Sequence, residues 1–252
     1  MNNMFVDLNS DLGEGIGRDD EILDLVSSAN IACGFHAGDP ASILASIRAA
    51  KERGVAVGAH PSFADRENFG RVEMNVAASE IFALVCYQIG AFAALCRGAG
   101  TEMRHVKPHG ALYNMAAREQ ALADAIARAL LAVDPRLILF APARSTMEVA
   151  AVKLELQVAR EVFADRNYMP DGSLVSRTRP DALLHDAEQA AERVIRMLQQ
   201  GVVRSVDGSD IPIAADTICV HGDTPEAVSF VSELRRRLEE EKVTIAPPAQ
   251  RR

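Results

Sequence analysis

Short apolar runs alternate with longer stretches of helical spacing along this chain, and each short run breaks off into polar residues. Phe5, Val6 and Leu8 open the first run as strand formers. Strand alternation puts Val6 and Leu8 on one face and Asp7, Asn9 and Asp11 on the other. A row of buried carboxylates is costly unless it is paired, hydrogen-bonded or binding something. Gly13, Gly15 and Gly17 then supply a tight exit loop. The pattern predicts a short helix over 20–26 and a second strand over 30–36. Asp39 caps the next helix with Pro40 at its first position; Ile43, Leu44, Ile47 and Ala50 form its stripe, and Gly54 stops it. The third strand, 55–59, runs into His60-Pro61. A helix over 77–97 keeps the 3.6 period through Ile81, Val85, Ile89 and Phe92.

The same alternation continues to the end. A fourth strand, 104–107, passes into Pro108-His109-Gly110, and a helix follows over 118–133. A fully apolar fifth strand over 137–140, a helix over 145–153 and a sixth strand over 156–161 come next. The segment 163–180 is the longest irregular stretch, and long loops in compact domains are often functional. A helix to Gln200, a hairpin around Asp207-Gly208 and a last strand over 217–221 complete the pattern. Asp223 or Thr224 caps a final helix, and the tail 247–252 reads as frayed. Seven βα units with short turns predict an α/β fold with a parallel sheet and helices outside. The expectation is one domain over 1–252, an irregular (β/α)7 TIM-like barrel, with an open doubly wound sheet as the alternative. In either fold, ligands sit at the carboxyl ends of the strands.

Composition narrows the function. Of 252 residues, 48% are hydrophobic and 25% charged, which suits a globular domain with a full core. A net charge of −8 argues against a nucleic-acid partner. No apolar run reads as long enough to span a membrane, and no signal peptide is recognisable, so a cytoplasmic protein is expected. Cys33, Cys86, Cys96 and Cys219 are scattered without metal-site spacing and read as free thiols.

Candidate chemistry collects at the strand ends. Asn9, Asp11 and Glu14 follow strand one, His36 strand two and His60 strand three. Lys107 and His109 follow strand four, Glu161 and Asp165 strand six, and His221 with Asp223 the last strand. Equivalent placement of four histidines favours a functional reading over four separate structural ones. His185 fits no such pattern and reads as surface. His105, Lys107 and His109 share a face; a lumenal Lys107 needs an anionic partner from Asp7, Asp11 or Glu161. Its role would be to bind a substrate carboxylate or polarise a carbonyl. There is no G-x-x-x-x-G-K-[ST], H-E-x-x-H or G-x-S-x-G, and Gly13 to Gly17 is too short and acidic for a dinucleotide fingerprint. The residues thus point to hydrolysis by general acid–base chemistry or by a bound divalent metal.

Several blocks carry a family resemblance: Asp7-Leu8-Asn9 with Asp11 to Glu14, the run 29–40, Gly58-Ala59-His60-Pro61, Phe69-Gly70-Arg71, the run 107–114, Phe163 to Arg166, and Val220 to Asp223. In this order they resemble the LamB/YcsF lactam-utilisation family. Val162, Val72 and Asp181 stand where that family often has Gly, Arg and Gly, all in segments taken as loops beside the mouth. The resemblance implies a barrel similar to that of the glycoside hydrolases and polysaccharide deacetylases. It implies ATP-dependent opening of 5-oxo-L-proline to L-glutamate in a complex with subunits B and C, the nucleotide being held mainly by these partners or at a shared interface. The catalytic set would be Asp11, Glu14, His36, His60, Lys107, His109 and Glu161. Asp11 or Glu161 would be the base for water and His109 or His36 the acid for the leaving nitrogen. Substrate would be bound by Asp7, Asn9, Asn30, Arg71, Tyr113, Asp165, Arg166 and His221, with Lys107 and Arg166 on its carboxylate or phosphate. Two rivals stand beside this reading. One is a stand-alone metal-dependent deacetylase or amidohydrolase with Asp11, His36 and His60 around the ion; the other is a non-catalytic binding subunit. A homo-oligomer is compatible with each.

Overall fold

The alternation of strand and helix closes on itself in the computed structural model, which describes residues 4–15, 18–176, 178–220 and 227–250. The strands are β1 (Met4–Leu12), β2 (Ser28–Ala32), β3 (Ala56–His60), β4 (Met103–Val106), β5 (Ile138–Pro142), β6 (Val158–Phe163), β7 (Val202–Arg204), β8 (Asp210–Pro212), β9 (Thr217–Val220) and β10 (Val243–Ile245). The helices are α1 (Asp19–Leu23), α2 (Pro40–Glu52), α3 (Ala78–Ala99), α4 (Gly110–Ala116), α5 (Gln120–Val133), α6 (Thr146–Lys153), α7 (Ala187–Gln200) and α8 (Ala227–Glu240). Among the described residues, β1 to β6 and β9 form one parallel series, and β9 also pairs with β1, Asp7 opposite Thr217 and Ser10 opposite Val220. This is the closed seven-stranded barrel that the pattern predicts, and the open sheet is set aside.

Local chemistry explains the elements. The Asp39 carboxylate accepts from the Ala41 and Ser42 amides, so α2 begins where the sequence indicates. Ser145 and Asp186 cap α6 and α7 in the same way. In α3, Ile81, Val85, Ile89, Phe92 and Cys96 make the buried face. This helix, 22 residues long with an 18-residue stretch of mean hydropathy 1.6, is long and apolar enough to cross a membrane by length and composition, which corrects the reading that no run is.

Other boundaries differ from the sequence reading for physical reasons. β2 stops at Ala32, so His36 stands in a turn where Gly34 and Gly38 take positive φ, not on the strand. α4 is an addition, because Pro108 and Gly110 mask a two-turn helix whose Ala111, Leu112, Tyr113 and Met115 are all buried. β10 is another; it lies parallel to β1, Met4 opposite Val243. The tail does not fray as far as Gln250, whose amide donates to the Arg104 and Arg136 carbonyls. Val162 is inside β6 and fully buried, not in a loop. The Asp207-Gly208 hairpin forms as expected, β7 antiparallel to β8. All four cysteines are free thiols.

Candidate active site

Six of the seven barrel strands, all but β5, place polar side chains in the lumen, and these form a continuous network. At its floor Asp7, fully buried, accepts from the hydroxyls of Ser27, Ser28 and Thr217. Burial pushes its carboxyl from 3.8 up to about 6, against the pull of those hydroxyls. One layer up, the Asn9 amide donates to Glu161 and Thr217, and Asn30 donates to Asn9 and to Asp11. His105 Nε2 meets the Asn30 side-chain oxygen at 2.9 Å, and its ring stacks on Phe140. The β3 strand can accommodate that ring only because position 58 is glycine: a Cβ there would lie 2.1 Å from His105 Nε2.

Lys107 sits at the centre, 3% exposed, with Nζ 2.9 Å from Asp11 Oδ1 and 2.9 Å from Glu161 Oε1. Burial alone would favour the neutral amine; Asp11 and Glu161 outweigh it and hold the pKa well above the ordinary lysine value. Its third neighbour, Cys219 Sγ at 3.1 Å, is held as the thiol by burial. Tyr113 donates its phenol to Glu161, and burial keeps that phenol protonated. Glu161 is therefore bound by Asn9, Lys107 and Tyr113 together.

Towards the mouth, Glu14, His36, His60 and His109 converge. β4 continues beside β3 past its last residue, with Lys107 N donating to Ala59 O and His109 N to Pro61 O, which sets His109 against His60. His60 Nδ1 lies 2.7 Å from the Lys107 carbonyl, and His109 Nε2 lies 2.8 Å from the Phe69 carbonyl. Gly110 turns the chain into α4 at φ 55, so close to the Gly70 carbonyl that a Cβ would lie 2.5 Å from it. Glu14 Oε1 lies 2.9 Å from His36 Nε2 and 3.2 Å from His109 Nδ1. Burial opposes ionisation of Glu14, but its bonds to His109 and His36 win and lower its pKa to about 2. Burial lowers His36 to about 4, so it is a neutral imidazole. Burial also works against His60⁺, yet Asp11 beside Nε2 and then Glu14 raise its pKa. A cleft of about 730 Å³, bounded by Gly13, residues 18–21, Asp39 and Arg66, opens over Glu14 and His36.

The structure thus brings Asp11, Glu14, His36, His60, Lys107, His109 and Glu161 into one connected cluster with Asn9, Asn30 and Tyr113. Four expectations are corrected or relocated. Asp7 lies under the network with its oxygens taken by hydroxyls, so it is a floor residue and not a substrate contact. Arg166 donates to the Val175 carbonyl and so ties the long loop after β6. Arg71 is exposed, its guanidinium over the Phe69 ring at 4.9 Å. The acid–imidazole set that closes on one point uses Glu14, His36, His60 and His109; Asp11, expected in the metal set, stands beside it, with Oδ1 on Lys107 and Oδ2 3.4 Å from His60 Nε2. Asp165 lies in the turn after β6 and its carbonyl accepts from Leu184. His221 lies outside the described residues. Sequence reasoning did not single out Ser27, Ser28 and Thr217; alternation within β2 and β9 could have marked Ser28 and Thr217, but Ser27 precedes β2.

Comparison with known proteins adds the ancestry. A sequence model of the LamB/YcsF family matches residues 6–252. The chain is 51% identical over 247 residues to the A subunit of 5-oxoprolinase from Clostridium beijerinckii, covering 96% of this chain and 97% of that one. It is similar to the crystal structure of the lactam utilization protein from Thermus thermophilus, with TM-score 0.91, 45% identity, and coverage of 96% and 99%. A T48 deacetylase, solved with substrate, shares the fold alone at TM-score 0.51 and 13% identity, with 97% and 88% covered. Family match, sequence identity and barrel geometry agree over nearly the whole length, and the chain belongs to the LamB/YcsF family.

Proposed function

We propose that this chain is the A subunit of a cytoplasmic 5-oxoprolinase that opens 5-oxo-L-proline to L-glutamate with ATP, in a complex with subunits B and C. The observation that carries this reading is the 51% identity to the A subunit of a 5-oxoprolinase along 96% of the chain. The buried acid–lysine–histidine cluster supports it, since opening a lactam needs a base, an acid and an electrophilic clamp. Amide resonance makes the lactam carbonyl a poor electrophile. Transfer of the γ-phosphoryl group of ATP to the lactam oxygen releases ADP and leaves an activated carbon. Water adds there, the C–N bond breaks with its electron pair going to nitrogen, and nitrogen takes a proton. A second water hydrolyses the acyl phosphate to glutamate and phosphate.

In this reading the lumenal residues divide these tasks. Lys107 clamps the developing negative charge from below. Of the two candidate bases, the Glu161 side chain is 0% exposed, whereas the Asp11 side chain is 19% exposed. Asp11 is the base for water in this reading, and the departing nitrogen takes its proton at the histidine-lined mouth. ATP is bound at the interface with the partner subunits. A second reading, favoured by the convergence of Glu14 with three imidazoles, is a metal-dependent amidohydrolase acting without ATP. Glutamate release from 5-oxoproline and ATP is measured with this chain alone, with B and C added, and with B and C alone. Turnover only in the full set, abolished by Asp11→Asn, is the expected result; ATP-independent release by this chain alone would replace it with the second reading.

A further inference from the structure

The histidine tautomers at the mouth are fixed by their outer partners. A carbonyl oxygen only accepts, so His60 must carry its proton on Nδ1, towards Lys107 O, and His109 on Nε2, towards Phe69 O. In the neutral imidazoles the inner nitrogens, His60 Nε2 and His109 Nδ1, present two lone pairs to each other at 2.9 Å. A carboxylate oxygen, Glu14 Oε1, joins both, at 3.2 Å from His109 Nδ1 and 3.7 Å from His60 Nε2, while Asp11 Oδ2 approaches His60 Nε2 at 3.4 Å. Three electron-pair donors facing one buried point repel unless a cation lies among them. A proton on one imidazole satisfies two of the three; an ion at the centre satisfies all three.

The spacing fits a small divalent ion. Ligands about 2.0–2.1 Å from a tetrahedral zinc are about 3.3 Å apart along each edge, and the three edges here are 2.9, 3.2 and 3.7 Å. Both imidazoles are already oriented by a backbone carbonyl on the far nitrogen, the arrangement that metal-binding histidines use. His36 is a different case. Its ring lies parallel to His109 at 3.8 Å, so their lone pairs cannot both aim at one point, and its Nε2 meets Glu14 instead. It orients the carboxylate.

We propose that Glu14, His60 and His109 bind one divalent transition-metal ion of the zinc type, with His36 as the residue that positions Glu14. The ion supplies Lewis-acid polarisation of a carbonyl or a bound water of lowered pKa. This deepens the lactam-opening site and rests on that reading only for what the ion serves; binding itself is tested without 5-oxoproline, ATP or partner subunits. Chelator-treated full-length protein is titrated with Zn²⁺ by calorimetry and with Co²⁺ by visible absorption, the bound metal being counted by elemental analysis. One equivalent is expected, with Co²⁺ bands of a four-coordinate nitrogen–oxygen site. Glu14→Gln and His60→Asn, checked for fold by circular dichroism, should abolish binding. His36→Gln should weaken it by about 10–100-fold, and His185→Ala, on the surface, should leave it unchanged. Absence of Zn²⁺ and Co²⁺ binding by the parent, or binding that survives Glu14→Gln and His60→Asn, overturns the proposal. A metal-binding parent that gives no ATP-driven glutamate release with B and C would keep this site and remove the lactamase reading.

Discussion

Two lumenal residues carry charge in opposite senses, and each gives a measurable consequence. Asp7 is an acid whose folded pKa, about 6, lies above its ordinary 3.8. The folded state therefore binds its proton more tightly than the unfolded state does. Stability from this group is greatest below the unfolded value and falls as pH rises to the folded one. Asp7→Asn removes that dependence, so the variant should gain on the parent by on the order of 2–3 kcal/mol between about pH 4 and about pH 7. Urea midpoints of the two proteins across that range measure the gain; parallel curves would mean that Asp7 is ionised in the fold. Lys107 is the reverse case, an ammonium whose removal leaves Asp11 and Glu161 facing each other in the lumen. Lys107→Met should cost about 3–5 kcal/mol, which for a chain of this size lowers Tm by roughly 10 °C. It should also abolish glutamate release in the reconstituted complex. An unchanged melting temperature would show that the two carboxylates do not depend on the ammonium.

At the scale of an element, β3 shows how a strand is shaped by the site it borders. Its residues 56 to 60 are all buried, and Gly58 is the one that leaves room for the His105 ring. Gly58→Ala should destabilise by about 1–3 kcal/mol or more through overpacking. Adding His105→Ala should recover part of that loss, because the two changes share one space and their effects are not additive. Denaturant unfolding of the single and double variants tests this; strictly additive losses would mean that the strand moves aside. The helices obey simpler rules. α2 is legible in the sequence because a cap, a 3.6 period and a stop signal lie in consecutive residues, and α3 because its 3.6 period is long, although its N-cap, Ala77, makes no side-chain bond. α4 is not, because its seven residues are too few to show a period and Gly110 opens it for a tertiary reason, contact with Gly70.

For the molecule as a whole, closure through β1 and β9 holds the two ends of the network together: Asp7 and Asn9 from one strand both bond to Thr217 on the other. The C-terminal segment acts as an outer clasp. β10 pairs with β1, Val243 is buried, and Gln250 joins the ends of β4 and β5. Deleting residues 243–252 should keep the seven-stranded ring but lower Tm by about 5–10 °C, since a few kcal/mol of burial and pairing are lost. Near-native far-ultraviolet circular dichroism with a lower melting point is the expected outcome, and an unchanged melting point would show the clasp to be idle.

The repeating βα order, the caps and the polar residues at the strand ends can all be read from the chain without coordinates. These are local properties, written in periods of two and 3.6 and in the chemistry of Asp39, Pro40 and Ser145. The candidate residues Asp11, Glu14, His60, Lys107 and His109 are legible because each follows an apolar run. Which of them meet is a matter of three dimensions. Folding turns Asp7 into a floor residue, gives Glu161 to Lys107 and Tyr113, and brings Glu14 to His109 and Asp11 to His60 where the two imidazoles face each other. The physical reason is that these contacts depend on barrel closure and strand stagger, which sum over the whole chain. No local window of sequence contains the distance between residue 14 and residue 109.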